Sequence, residues 1–370
     1  MARAAGSSWL LLGILGALAV AQACTRGGDD SGALDVLLAE ALAAVGPEVV
    51  RPSLADFDSS LDELDSALAS WQAGGAREDA RPAWTAAMLV WEELEVQQVG
   101  PAGSSVTVVG GEDLRDEIYS WPTVNGCRVD QETVEEEWDA GDFYEANLVN
   151  SYGMDALEHL LYAGEETVCP SQVGIDEDWA ALGSEGVDEN RAAFAVALAG
   201  GVRQQAAALD GRWAAGYEPA ALDEVFAALF YLELVSKDEK LAKPLGLSDC
   251  GEATCAEDVE LLASGIGVDA IEANLDGFRE LFSGGEGAGM DDLLAEIGHG
   301  DLSDEVLANT DAAIAVAAGL EGPLDELIES QPEQVEALHA ALKGVTDILK
   351  GDLVTVLVLT VPGEASGDND

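Results

Sequence analysis

The chain has 370 residues and a mass of 38.3 kDa, enough for one large domain or two of ordinary size. Its 72 acidic residues against 16 basic ones give a formal charge of −56; such a surface repels a phosphate backbone and argues against a nucleic-acid partner. Hydrophobic residues make up 48 %, which excludes global disorder, because disordered chains combine high charge with low hydrophobicity.

Residues 1–23 carry a single charge, Arg3, and an apolar run from Trp9 to Val20. That run is short for a bilayer span but has the length of a secretory h-region, so 1–23 is expected to be a signal peptide. It ends in Ala21-Gln22-Ala23-Cys24, which resembles a bacterial lipobox with Cys24 as the lipidated first residue. One position departs from that pattern: Ala21 stands where Leu is usual. Ordinary Ala-x-Ala cleavage is the alternative and leaves Cys24 as a thiol. Both readings predict export; lipidation adds a membrane partner through the anchor. Thr25 is not the Asp that retains some lipoproteins at the inner membrane, so the expected location is the outer membrane, facing periplasm or surface. Residues 24–33 form a polar linker, and no later segment is long and apolar enough to span a bilayer.

Helical periodicity then dominates. Leu54, Phe57, Leu61, Leu64, Leu68 and Trp71 recur at steps of three and four, one apolar stripe with a capping-box-like start at Ser53 and Asp56. Similar patterns run over 33–46, 77–98, 130–139, 150–163, 189–210, 219–236, 268–282 and 302–319. Ser330-Gln331-Pro332-Glu333 is a further start signal and leads into Val335, Leu338, Leu342, Val345 and Leu349. Strand-like alternation is nearly absent, so the expected class is all-α. Breaks at 100–112, 164–188, 246–255 and 283–289 are Gly-rich and polar. The longest divides 34–361 into halves of about 34–170 and 188–361, expected to be two packed helical bundles, followed by an acidic tail, 362–370. With Cys24 set aside, Cys127, Cys169, Cys250 and Cys255 remain. An even number in an oxidising compartment suggests disulfides Cys250–Cys255 and Cys127–Cys169; a four-thiolate zinc site is the competing reading and lacks a Cys-x-x-Cys pair.

The densest chemical constellation is Tyr152-Gly153-Met154-Asp155-Ala156-Leu157-Glu158-His159-Leu160-Leu161-Tyr162. On a helix Asp155 lies three residues from Glu158 and four from His159, so these groups can converge on a point. Oxygen ligands with one imidazole suit a divalent or ferric ion, while Leu157, Leu160 and Leu161 face the core. A second candidate is Trp84 to Pro101, where Glu92 and Glu95 share a helix face and Glu93 points elsewhere. A third is the aromatic plug Ile118-Tyr119-Ser120-Trp121-Pro122. In a chain this acidic, each of these segments also reads as core packing or a solvated face. The histidines His299 and His339 are placed at a helix end and on a helix surface. No Gly-x4-Gly-Lys loop, Gly-x-Ser-x-Gly elbow or His-Glu-x-x-His motif is present.

These segments together resemble the imelysin family of bacterial envelope proteins. The resemblance lies in a Trp-rich helix ending Glu95-x4-Gly100-Pro101, in Ser120-Trp121-Pro122, and in a Gly-x-His-x-x-Glu helix rendered here as Gly153-Met154-Asp155-Ala156-Leu157-Glu158. It continues through Lys243-Pro244-Leu245-Gly246, Ser264, Asn274-Leu275-Asp276-Gly277-Phe278 and the helix Leu349 to Thr360, covering roughly 34–361. It implies two bundle-like halves, export, association with iron-regulated uptake, and a metal site at Glu95, Asp155 and Glu158. The family histidine is Asp155 here, which moves the preference toward harder ions and away from zinc, and His159 could partly compensate. Three functions are expected from this: a metal-binding, iron-uptake-associated protein without turnover; a structural or partner-binding envelope lipoprotein; and, carried only by the family's peptidase label, a metallopeptidase.

Overall fold

Where an apolar stripe continues without a stop signal, a helix continues with it, and this sets the architecture. The structure, a computed structural model, describes residues 30–363 and Ala365. The signal segment, Cys24 with its proposed lipid, and most of the acidic tail lie outside the described residues. The α-helices in chain order are α1 (Asp30–Ala44), α2 (Arg51–Gln72), α3 (Arg81–Glu95), α4 (Gly126–Glu135), α5 (Phe143–Ala146), α6 (Met154–Tyr162) and α7 (Asp176–Ala214). They continue with α8 (Leu222–Leu229), α9 (Gly267–Ser283), α10 (Met290–Glu296), α11 (Gly300–Ala317), α12 (Leu324–Ser330), α13 (Pro332–Ile348) and α14 (Val354–Leu357). No strand occurs among the described residues, and none of the described helices is long and apolar enough to cross a membrane.

The stripe of α2 is buried as its spacing requires, with Leu54, Phe57, Leu61, Leu64, Leu68 and Trp71 all inside. Its start differs from the expectation. Val45, Val49 and Val50 extend the buried face upstream, so α1 runs through a π-helical stretch, Val45–Val50, directly into α2. The Ser53 hydroxyl therefore lies inside the helix and donates to Val49 O at 3.0 Å instead of capping. At the start of α13, Pro332 takes the first position and Gln331 precedes it, while the Ser330 hydroxyl turns back to Glu326 O. The expected helix at 219–236 divides into α8 and an eleven-residue π-helix, Leu232–Ala242. Its wider turn carries Glu233, Lys237 and Lys240 to the interior, an arrangement that 3.6-residue periodicity does not anticipate. The gap expected at 164–188 is shorter in the structure, because α7 already begins at Asp176 and is interrupted only by a kink at Gly183 (φ 67°).

Helix α2 packs on α3 and α7, α3 on α9, α9 on α11, and α11 on α13, which also meets the π-helix. One buried cluster extends from Leu42 to Ala365. Both expected disulfides are formed, Cys127–Cys169 and Cys250–Cys255. Their sulfurs are thereby consumed, and the four-thiolate zinc alternative falls away.

The α3–α9 contact brings the end of α3, with its two buried glutamates, against the middle of α9. It depends on Gly277: a Cβ there would lie 2.1 Å from the Glu93 carbonyl oxygen and 2.9 Å from its Cα. Backbone cannot yield as a flexible side chain can. Gly277→Ala is therefore expected to destabilise the protein by about 2 kcal/mol or more, by the cost of overpacking, read as a lower urea midpoint with unchanged m-value.

Candidate functional site

The last turn of α3 carries two carboxylates on one face, Glu92 and Glu95, both fully buried. A helix C-terminus is the negative end of the macrodipole, so these groups require cations, and the tertiary structure supplies two. Lys240, from the π-helix, places its Nζ 2.6 Å from Glu92 Oε2, 2.7 Å from Glu260 Oε2 and 3.6 Å from Glu95 Oε2. Arg115 donates from Nε to Glu95 Oε1 at 2.9 Å, with Nη2 at 2.8 Å from the same oxygen. Asn274 of α9 completes the floor. Its Nδ2 donates to Glu92 O at 2.7 Å and Glu92 Oε2 at 2.8 Å, while its Oδ1 accepts from Lys240 at 3.0 Å and Ser236 at 2.9 Å. Two tyrosines close the walls: Tyr119 donates to Glu260 Oε1 at 2.9 Å, and Tyr231 donates to Glu95 Oε2.

Glu92, Glu95 and Glu260 form the only group of three or more potential metal-ligating side chains found among the described residues, with one ligand atom from each within 4.8 Å of the others. Burial pushes Glu92 well above the usual carboxylate range, and Glu260 beside it adds to the shift against the pull of Lys240. Burial raises Glu260 as well. For Glu95, burial acts upward but is outweighed by Arg115, Lys240 and the Tyr231 hydroxyl, so it stays below the usual range. Burial alone would discharge Lys240, yet Glu260 and Glu92 hold its pKa well above that of a free lysine. Lys240 is therefore an ammonium, and it sits where three carboxylates converge. Glu92 Oε1 is buried with no hydrogen-bond partner, an acceptor left over after the lysine has been satisfied.

The cage is not sealed from the surface by core alone. A largely apolar groove of about 600 Å³ is lined by Trp121, Pro122, Phe230 and Leu234 together with Arg115 and Tyr231. The last two thus touch the groove and Glu95 alike, and the cage lies one side chain behind the groove wall.

Of the residues expected as metal ligands, Glu95 is in the cage, whereas Asp155, Glu158 and His159 have partners of their own. Gly153 (φ 101°) lets the chain enter α6 against Ile118 O, where Asp155 accepts from Ser120 Oγ at 2.7 Å and Ser120 N at 3.2 Å. Glu158 accepts from Ser264 N at 2.9 Å and Ser264 Oγ at 2.7 Å. His159 turns away to Asp130 at 2.9 Å. Leu157, Leu160 and Leu161 are buried as expected. Glu93 points elsewhere, toward Asp276, Glu280 and Asp56, and burial followed by these neighbours raises it to about 7. Lys240, Glu260, Arg115 and Tyr231 were not legible as site residues, and Tyr119 stood out only as part of the aromatic plug. A usable signal was rarity: of five lysines, two lie four residues apart or less from a glutamate in the run Glu233 to Lys240.

An all-helical protein with a carboxylate–lysine cage at the junction of its central helices, next to an apolar groove, belongs to the class of helical-bundle proteins that build a polar centre from facing helices. The chain belongs to the imelysin family, whose profile matches residues 50–350. No curated protein matches it in sequence. Among solved structures it is similar to an imelysin-like protein from Psychrobacter arcticum 273-4, at 17 % identity and a TM-score of 0.62, over 92 % of this chain and 99 % of that one. It is also similar to a protein assigned as an iron-regulated protein A precursor from Parabacteroides distasonis ATCC 8503, at 14 % identity and a TM-score of 0.61, over 90 % and 96 %. At these identities the likeness is one of fold.

Asp155 supplies a test of the electrostatics. Burial raises its carboxyl to about 7, partly offset by the bonds from Ser120 and Ala156. The unfolded value is near 3.9, so over this interval the folded state holds a proton that the unfolded state has lost. The stability this contributes is complete below about pH 4 and is lost as pH rises through about 7. The difference in unfolding free energy between wild type and Asp155→Asn is expected to shrink steadily across that window in chemical-denaturation series. A flat difference would contradict the assignment.

Proposed function

We propose that this chain is an exported, lipid-anchored envelope protein that binds a hard metal ion, iron foremost, in the cage of Glu92, Glu95 and Glu260, and does not turn over a substrate. The observation that carries the reading is the convergence of three buried carboxylates, with Glu92 Oε1 left without a hydrogen-bond partner among them. The donors are all carboxylate oxygens, the set preferred by Mg, Ca, Mn and ferric ions over zinc. The name of one similar structure, an iron-regulated protein, favours iron. A zinc peptidase would need imidazole or thiolate ligands and a general base; the imidazole nearest in sequence to the motif, His159, is engaged with Asp130.

Lys240 occupies the same carboxylates that a metal ion would need. Its ammonium is the resident cation of the cage, so a metal ion must compete with it. A second reading rests on this same fact: the cage is then a structural ion cluster that joins the π-helix to α3 and α9.

Calorimetry on the full-length protein with ferrous, manganous, calcium and zinc salts separates the two. Cation binding predicts one saturable site in wild type, weakened about tenfold or more by Glu95→Gln, the scale expected from losing a charged ligand, and tightened by Lys240→Met. Saturable binding that appears only in Lys240→Met would establish the structural reading. Weak multi-site binding in every variant would be the carboxylate coat alone. For the anchor, Cys24→Ala is expected to abolish incorporation of labelled palmitate and release the protein from the membrane fraction.

A further inference from the structure

The kink in α7 has created a second polar cavity, remote from the cage in its lining residues. Gly183 adopts φ 67° and ψ 174°, so the limb from 184 starts a new helical run, and the first amides of a helix lack intrahelical carbonyl partners. Those amides and the positive end of a long helix dipole are suited to an anion. Here a cavity of about 240 Å³ opens, lined by Ser184, Glu185 and Asp188 of that first turn together with Arg77, Arg191 and Glu165.

The arginines are the independent observation. Arg191 is 1 % exposed. Its Nη1 donates to Gly164 O at 2.7 Å, and its guanidinium lies over the Trp179 ring. Its Nε makes no hydrogen bond, and its Nη2 stands 3.6 Å from Asp130 Oδ1, beyond hydrogen-bond length. Asp130 is already engaged by His159, Thr167 and the Val168 amide. Burial depresses the Arg191 guanidinium, and Asp130 only partly offsets the combined effect of burial and nearby Arg77. Arg77 donates to Ala163 O at 3.1 Å and has no ion-pair partner among the described residues. That is anomalous in a chain with 72 acidic residues. Arg51, Arg81, Arg115, Arg128, Arg203, Arg212 and Arg279 each have a carboxylate within 4 Å, and Arg191 has Asp130 at 3.6 Å, so Arg77 alone among the described arginines has none. Two neighbouring arginines with spare donors, one of them fully buried, are a cost unless an oxyanion meets them.

The remaining lining groups restrict that oxyanion. Glu165 and Glu185 are exposed at the rim, and Asp188 accepts from the Trp71 indole at 3.0 Å. A free dianion would be repelled at the mouth, whereas a ligand with a cationic group beside its carboxylate complements both. The volume lies below the ~300–1,000 Å³ of pockets for drug-sized molecules, so the ligand is small.

We propose that this cavity binds a small zwitterion of the free amino-acid type, its carboxylate on Arg191, Arg77 and the amides of residues 184–186, its ammonium toward Glu165 and Glu185. The site shares no residue with the carboxylate cage and stands independently of it.

The test is calorimetry of the full-length protein with L-alanine, L-glutamate and L-lysine, and with acetate and methylammonium as half-ligands. Saturable binding of at least one amino acid is expected, weakened about tenfold or more by Arg77→Gln and by Glu185→Gln, with both half-ligands far weaker. Both variants change partly or fully exposed residues and leave the Arg191 contacts in place; a thermal melt confirms that each is folded. Absence of saturable binding with all three amino acids overturns the proposal, as does binding that is unchanged in Arg77→Gln. Acetate binding as tightly as the amino acids, with Glu185→Gln without effect, overturns it in favour of a simple anion site.

Discussion

A single ammonium group ties the centre of this protein together. Lys240 Nζ lies within 3.6 Å of carboxylates from α3 and from the 256–262 segment, and it bonds Asn274 of α9. Three elements distant in sequence therefore meet on one charge. Remove it, and Glu92, Glu95 and Glu260 would confront one another in a dry interior at the negative end of α3. Breaking one partner out of such a buried cluster commonly costs on the order of 3–5 kcal/mol. The π-helical form of Leu232–Ala242 obeys the same constraint, because the residues turned inward there include Glu233, Lys237 and Lys240.

Around this point the family's motif segments act in concert. Ser120 holds Asp155, Tyr119 holds Glu260, Ser264 holds Glu158, and Asn274 holds Glu92. Each pairing joins a loop or a neighbouring helix to the site, so the motifs are legible in sequence as separate signals but work as one network. Arg115 and Tyr231 are the members that also face the groove. Whatever enters the groove meets the far ends of the two side chains that hold Glu95.

The strongly acidic surface has a different standing from the cage. Most of its carboxylates are exposed, and several cluster around single arginines, as Asp58, Asp62 and Asp65 do around Arg203. Such exposed pairs contribute little each and serve solubility. Against that background, the arginines Arg77 and Arg191 at the kink of α7 stand out because acids in abundance leave them incompletely paired.

By itself, the sequence determined that the chain is all-α, where the stripe of α2 and the face of α13 lie, how the four later cysteines pair, and which family the chain resembles. These are properties of local spacing: a period of three and four, a proline at a first turn, an even set of thiols, an ordered run of motifs. Spacing also brought out Glu92 and Glu95 as a pair and Glu93 as the odd one. Only the tertiary structure decided that Glu260 and Lys240 join them, 165 and 145 residues beyond Glu95 in the numbering, because which distant element meets a helix end is set by packing at contacts such as Gly277 on Glu93 and not by any local pattern. The same holds for Asp155 and Glu158: helical spacing allowed them to converge on one point, and the serines packed against α6 drew each to its own partner instead.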